Sequence, residues 1–150
     1  MTKTLDSHTI DLAVVLIANL INLALIGLFL SRPLALPRVE YFLGLFLSAL
    51  AIPLIGLALL SYRLGREWWA FVLPLIMASF LLIEFVLEYV LGINWRKTWL
   101  MGPYLLFYYL SLMLMIGYAF LTGPVYGAIT LVTYFLGLAA TWYSYTRVGY

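Results

Sequence analysis

Long uncharged runs separated by short charged clusters dominate the chain. No Asp, Glu, Lys or Arg falls between Asp11 and Arg32 (20 residues), between Glu40 and Arg63 (22) or between Glu67 and Glu84 (16). The run between Lys97 and Arg147 lasts 49 residues. A helix needs about 20 apolar residues to cross the hydrocarbon core of a bilayer. The first two runs each fit one crossing, the third fits one that contains Glu84, and the fourth fits two. The pattern therefore predicts five helices, over residues 10–31, 39–62, 68–92, 99–121 and 124–145. A closed β-barrel is the other way to span lipid, but its strands alternate apolar with polar over about 10 residues. Leu23–Leu30 and Leu105–Ile116, the latter broken only by Ser111, do not alternate.

The breaks between runs have local causes. Arg32-Pro33 and Pro37-Arg38 stop the first helix and restart the second, because proline donates no amide and disfavours helix just before it. Arg63-Leu64-Gly65-Arg66 forms a polar turn. Gly92-Ile93-Asn94 ends the third helix, with Gly92 suited to a left-handed cap. Thr122-Gly123-Pro124 divides the long run, and Pro124 fits the first turn of the fifth helix. Pro53 and Pro74 fall inside spans and are expected to kink them. The first run is longer than the 7–15 apolar residues of a signal peptide, so it reads as a retained span.

Composition turns this pattern into a class. Of the residues, 66% are hydrophobic and only 9% charged, against about 25% charged in a soluble domain. Mean hydropathy is +1.09. Fourteen charges (8 Lys and Arg, 6 Asp and Glu) are too few to cover a soluble globule of this size. Such hydrophobicity equally excludes a disordered chain. The absence of cysteine excludes disulfides and thiolate metal sites, and a single histidine excludes a multi-histidine centre. Net charge of +2 gives no reason to expect a nucleic-acid partner. The expected architecture is an all-α membrane protein, a single five-transmembrane-helix bundle with short loops and no soluble domain. Its expected partners are the lipid bilayer and either a second copy of itself or a larger membrane complex.

Lys3, Arg63 and Arg66 share one end of such a bundle, and Arg32, Arg38, Arg96, Lys97 and Arg147 share the other. Positive charge in short loops favours the cytoplasm, which predicts an external N-terminus and a cytoplasmic C-terminus. Trp68, Trp69, Trp95, Trp99, Trp142, Tyr143 and Tyr145 fall where an interfacial aromatic belt is expected. Tyr108, Tyr109, Tyr118 and Tyr134 lie deeper, and a buried phenol needs a hydrogen-bond partner. Gly44, Ser48 and Gly56, the series Thr130, Gly137 and Ser144, and the pair Gly123 and Gly127 are small residues at helical spacing, which permit close helix contacts. Asn19 and Asn22 share a face of the first helix, and their amides must pair inside the bundle or with a partner.

Glu84 and Glu88 are the exceptions to the charge pattern. Four residues apart, they are expected on one helix face, inside the third span. A carboxylate at that depth must be neutral, paired or hydrated. Arg32, Arg38, Arg96, Lys97 and Arg147 lie toward the same end as candidate partners. At the other end, Asp6 or Ser7 is expected to cap the first helix, a simpler reading of Asp6, His8 and Asp11 than a metal site.

No nucleophile–base arrangement, metal box or phosphate loop is evident, so no catalytic residue and no cofactor is assigned. The leading expectation is a non-enzymatic accessory, structural or small-ligand or lipid-binding bundle. The alternatives are a transporter or channel component for a small solute, proton or cation, working through Glu84 and Glu88, and a membrane-embedded enzyme acting on a lipid-phase substrate. Glu84, Glu88, Asn19, Asn22, Arg96 and Tyr108 are the candidate ligand- or ion-binding residues.

Overall fold

A computed structural model describes residues 6–149. They form helices α1 (Ser7–Ser31), α2 (Pro37–Ala49), α3 (Ala51–Arg63), α4 (Trp68–Phe85), α5 (Met101–Thr122) and α6 (Pro124–Val148). Short turns sit at Val86–Val90 and Trp95–Lys97. Taken as Ser7–Ser31, Pro37–Arg63, Trp68–Val90, Met101–Thr122 and Pro124–Val148, five helical segments of 22–27 residues are long and apolar enough to cross a membrane. At 1.5 Å per residue the shortest measures about 33 Å.

The five segments close into a ring in which sequence neighbours pack together and α6 returns to α1. α1 also reaches α3 and α5, which makes it the central strut. Its buried positions Ile10, Val14, Ala18, Ile21, Leu25 and Leu28 recur every three or four residues along one stripe. Met77, Phe80 and Leu81 of α4 and Leu112, Met115 and Tyr118 of α5 join them in the common core. The outward faces are apolar too. Leu16, Ile52, Leu106 and Val125 are 62–73% exposed.

Most breaks fall where expected. The second segment is interrupted at Leu50, one turn before Pro53. The ring of Pro53 crowds the carbonyl four residues earlier and supplies no amide to it. By contrast α4 continues through Pro74. α1 starts at Ser7, three residues before the expected boundary. Asp6 precedes it with extended backbone, but its side chain makes no capping bond. Gly92 takes the left-handed conformation at φ +60°, and the Ile93 amide donates back to the Leu87 carbonyl at 3.1 Å. Glycine is needed there because a side chain would strain that conformation.

Two of the expected seams are visible in detail. Asn19 Nδ2 donates to Thr130 Oγ1 at 3.0 Å, and Thr133 Oγ1 donates to Asn19 Oδ1 at 2.9 Å. Asn22 Nδ2 donates to Thr133 Oγ1 at 2.9 Å. These bonds tie α1 to α6. Gly44 lies under the Tyr89 phenol, so close that a Cβ would collide with its oxygen. The phenol donates to the Tyr41 carbonyl at 3.2 Å, fastening the end of the third segment to α2.

Candidate functional site

The end of the bundle that carries the C-terminus holds a cavity of about 590 Å³, within the usual range for a small-molecule site. α1 supplies Leu25, Leu28, Phe29 and Arg32 to its wall, and α4 supplies Glu84. The loop after the third segment adds Asn94, Trp95, Arg96 and Lys97. α5 contributes Met101, Tyr104, Leu105, Tyr108 and Tyr109, and α6 closes the side with Thr141 and Tyr145. Leucines and aromatic rings line most of it. Three cations and one carboxylate supply the charge.

The local fold explains how these side chains arrive. Between Val86 and Val90 the helix widens by one residue per turn, and Leu91 N–H donates to the Val86 carbonyl at 2.8 Å. Four residues make nearly one full turn of a π-helix as of an α-helix, so Glu84 and Glu88 stay toward one side of the segment and differ in their partners. Glu84 faces the cavity and accepts a 3.0 Å hydrogen bond from the Tyr104 hydroxyl. Glu88 is not part of the wall. Arg96 Nη2 lies 2.5 Å from Glu88 Oε1, a close ion pair whose direction leaves that oxygen without a hydrogen bond.

Beyond the cap at Gly92, a tight turn holds Trp95. The Trp95 amide donates to the Ile93 carbonyl at 2.8 Å, and Thr98 Oγ1 donates to the Trp95 carbonyl at 2.7 Å. The indole is only 2% exposed, so it is a buried wall rather than the belt anchor expected. Its ring centroid lies 3.8 Å from that of Tyr104, while Arg96 Cζ sits 4.6 Å over its face. Its Nε1–H finds no acceptor in the protein. An unmade buried hydrogen bond costs about 1–3 kcal/mol. On the α1 side, Arg32 Nε donates to Glu40 Oε1 at 2.7 Å, and its Cζ stands 4.9 Å from the Phe29 ring centroid.

The six candidates therefore separate. Glu84, Arg96 and Tyr108 line the cavity. Glu88 stands behind Arg96, while Asn19 and Asn22 belong to the α1–α6 seam. Tyr104 and Trp95 complete the wall and were not singled out as site residues. A usable signal was present for both. Tyr104 lies on the first turns of α5, close to the depth of Glu84, and Trp95 adjoins the candidate Arg96.

The opposite end holds a second polar cluster. Asp11, in the second turn of α1, accepts from Arg66 Nη2 at 2.7 Å and from the Tyr118 hydroxyl at 2.6 Å. Arg66 Nη1 also donates to Ser61 Oγ at 3.2 Å. Trp69 meets Tyr118 edge-on at 5.2 Å and donates its indole N–H to Glu67. Burial by itself would lower the Arg66 pKa. The hydrogen bond and charge of Asp11 outweigh burial and hold it above its ordinary value. This cluster joins α1, the turn before α4, and α5. It also accounts for Asp11 apart from His8, whose ring instead lies 6.4 Å from that of Tyr126.

No family model, curated protein or solved structure matches the chain.

Proposed function

We propose that the chain is a multi-pass membrane protein that binds a small amphipathic molecule in the cavity between α1, α4, α5 and α6, with no catalytic step of its own. The observation that carries this reading is the composition of that cavity. A mostly apolar, aromatic wall meets a charged rim, with Glu84 held by Tyr104. Such a wall suits a molecule with one apolar and one polar part. Its ionisable side chains provide no nucleophile–base pair, which favours binding over chemistry. Large exposed apolar side chains on the outer faces support the membrane setting, since soluble monomers rarely leave such surface uncovered.

Binding is tested with two short-chain probes, dioctanoylglycerol and dioctanoylphosphatidic acid, added separately to detergent-solubilised protein and read by native mass spectrometry. Saturable one-to-one binding of at least one probe is expected. Thr141 borders the cavity from α6, so Thr141→Trp puts an indole into the space. It is expected to weaken binding about tenfold or more with helix content unchanged. Failure of both probes to saturate, or unaltered binding by the well-folded variant, overturns the reading.

The excess of positive charge at the cavity end supports a cytoplasmic position for it. Arg32, Arg38, Arg96, Lys97 and Arg147 occupy that end, against Arg63 and Arg66 at the other, and Lys3 lies outside the described residues. The cysteine-free chain allows a clean test. A single cysteine in place of Arg63 should react with a membrane-impermeant maleimide in intact cells. One in place of Trp99 should react only after permeabilisation. The reverse pattern overturns the orientation.

A further inference from the structure

Resting on that binding reading, we infer that the cavity is entered sideways from the bilayer, between α5 and α6. Its occupant is then a lipid of the adjoining leaflet, with a hydrocarbon chain lying in the gap between the two helices. The second half of α6 carries both the route and the source.

The two helices are held together at one end and leave space at the other. Gly123 alone joins them. The bonds from Asn19 and Asn22 hold the first half of α6 against α1, at Thr130 and Thr133. At the level of Leu112 and Tyr134 the space among α1, α5 and α6 is only about 10 Å³. Toward the C-terminus the cavity begins, with Thr141 and Tyr145 as its α6 wall. A groove of about 410 Å³ adjoins it, lined by residues of α5 and α6 alone. Tyr109, Thr141 and Tyr145 line both spaces, so cavity and groove meet across these three side chains.

The groove has the character of a hydrocarbon site at the edge of a membrane. Trp142 and Tyr145 on it are 71% and 55% exposed, which puts it on the outward face of the bundle. Leu138 and Thr141 precede the end of the span at Val148 by ten and seven residues, so they lie about 15 and 10 Å inside it. Aromatic rings at such a mouth favour the headgroup level. The two threonine hydroxyls donate to carbonyls of their own helix, Thr141 to Gly137 at 2.8 Å and Thr146 to Tyr143 at 2.9 Å. Neither requires a polar ligand. A hydrocarbon chain needs no hydrogen bond there, whereas a polar solute would lose its hydration without replacement.

The test uses the full chain in phosphatidylcholine vesicles that contain a trace of phosphatidylcholine with a diazirine midway along one chain. After irradiation, peptide mapping is expected to find adducts on the cavity residues Leu25 and Tyr108, which are only 6% and 8% exposed. Adducts are also expected on the outward-facing Leu106, which any surrounding lipid reaches. Leu138 lines the groove but not the cavity. Leu138→Trp is therefore expected to cut the inner adducts several-fold while sparing those on Leu106. Thr146→Trp narrows the same groove from an exposed position and carries the test where Leu138→Trp disturbs folding. Adducts confined to outward-facing residues, with dioctanoylglycerol still binding in detergent, overturn the leaflet source and leave the cavity reading standing. Inner adducts undiminished in the folded variants overturn the route between α5 and α6. Absence of inner adducts together with absence of saturable binding by either short-chain probe overturns the cavity reading itself.

Discussion

Replacing Arg66 with alanine is expected to lower the unfolding free energy by about 2–4 kcal/mol, among the largest effects of any single substitution outside the apolar core. The variant keeps Asp11 where it is. That carboxylate sits in the second turn of α1, its side chain 12% exposed, and would retain only the Tyr118 hydroxyl. Breaking a buried pair by removing one partner costs more than the pair contributes, because the remaining charge stays desolvated. The effect should be asymmetric. Asp11→Asn leaves Arg66 on a turn, from which a long side chain can reach water, so a loss of about 1–2 kcal/mol is expected there. The double variant Asp11→Asn/Arg66→Ala should lose less than the sum of the two, with a coupling of about 1–2 kcal/mol. Equilibrium unfolding in mixed micelles measures all three. A loss below about 0.5 kcal/mol for Arg66→Ala would mean that the pair behaves as an ordinary solvated surface pair.

Asp11 also illustrates which parts of the molecule were legible in the sequence. Runs of 16–49 uncharged residues leave little freedom in where helices lie, and proline and glycine mark their ends by backbone chemistry. The five segments and the cap at Gly92 followed from those facts. Pairing between segments did not, because it depends on rotation about each helix axis. Asp11 lay near the expected start of the first span and read as a charge at its end, yet it faces inward because Arg66 and Tyr118 meet it there. The sequence did indicate that Asn19, Asn22 and Tyr118 required partners. It could not name Thr130, Thr133 and Asp11, which lie more than a hundred residues away along the chain.

The candidate site was legible in part for a similar reason. An intramembrane carboxylate stands out in any apolar run, so Glu84 was found. Glu88 pairs instead with Arg96 of the following turn, a contact set by the path of the loop after Gly92. Trp95 was assigned to the interface because tryptophans near span ends commonly sit there. The Trp95–Lys97 turn instead packs the indole against Tyr104 at the start of α5. Exposure of a ring at the end of a span is decided by the path of the following loop, which local composition does not encode.

Tyr104 is the residue on which the cavity most depends, and Tyr104→Phe isolates its hydroxyl. The phenol donates to Glu84, and its ring is held between Trp95 at 3.8 Å and Phe80 at 5.4 Å. Phenylalanine keeps those ring contacts and removes the donor. Glu84 then keeps its place in the wall with one hydrogen bond fewer, at an expected cost of about 1–3 kcal/mol. Tyr104→Ala should cost more, about 3–5 kcal/mol, because the ring contacts are lost as well. The Glu84 side of the pair makes the interpretation specific. In Tyr104→Phe/Glu84→Leu both polar partners are gone, so most of the stability lost in Tyr104→Phe should return. Unfolding midpoints of the four proteins in the same micelles provide the comparison. If Tyr104→Phe is as stable as the parent, the hydroxyl does not support Glu84. If the double variant is no more stable than Tyr104→Phe, the cost lies in ring packing rather than in the carboxylate.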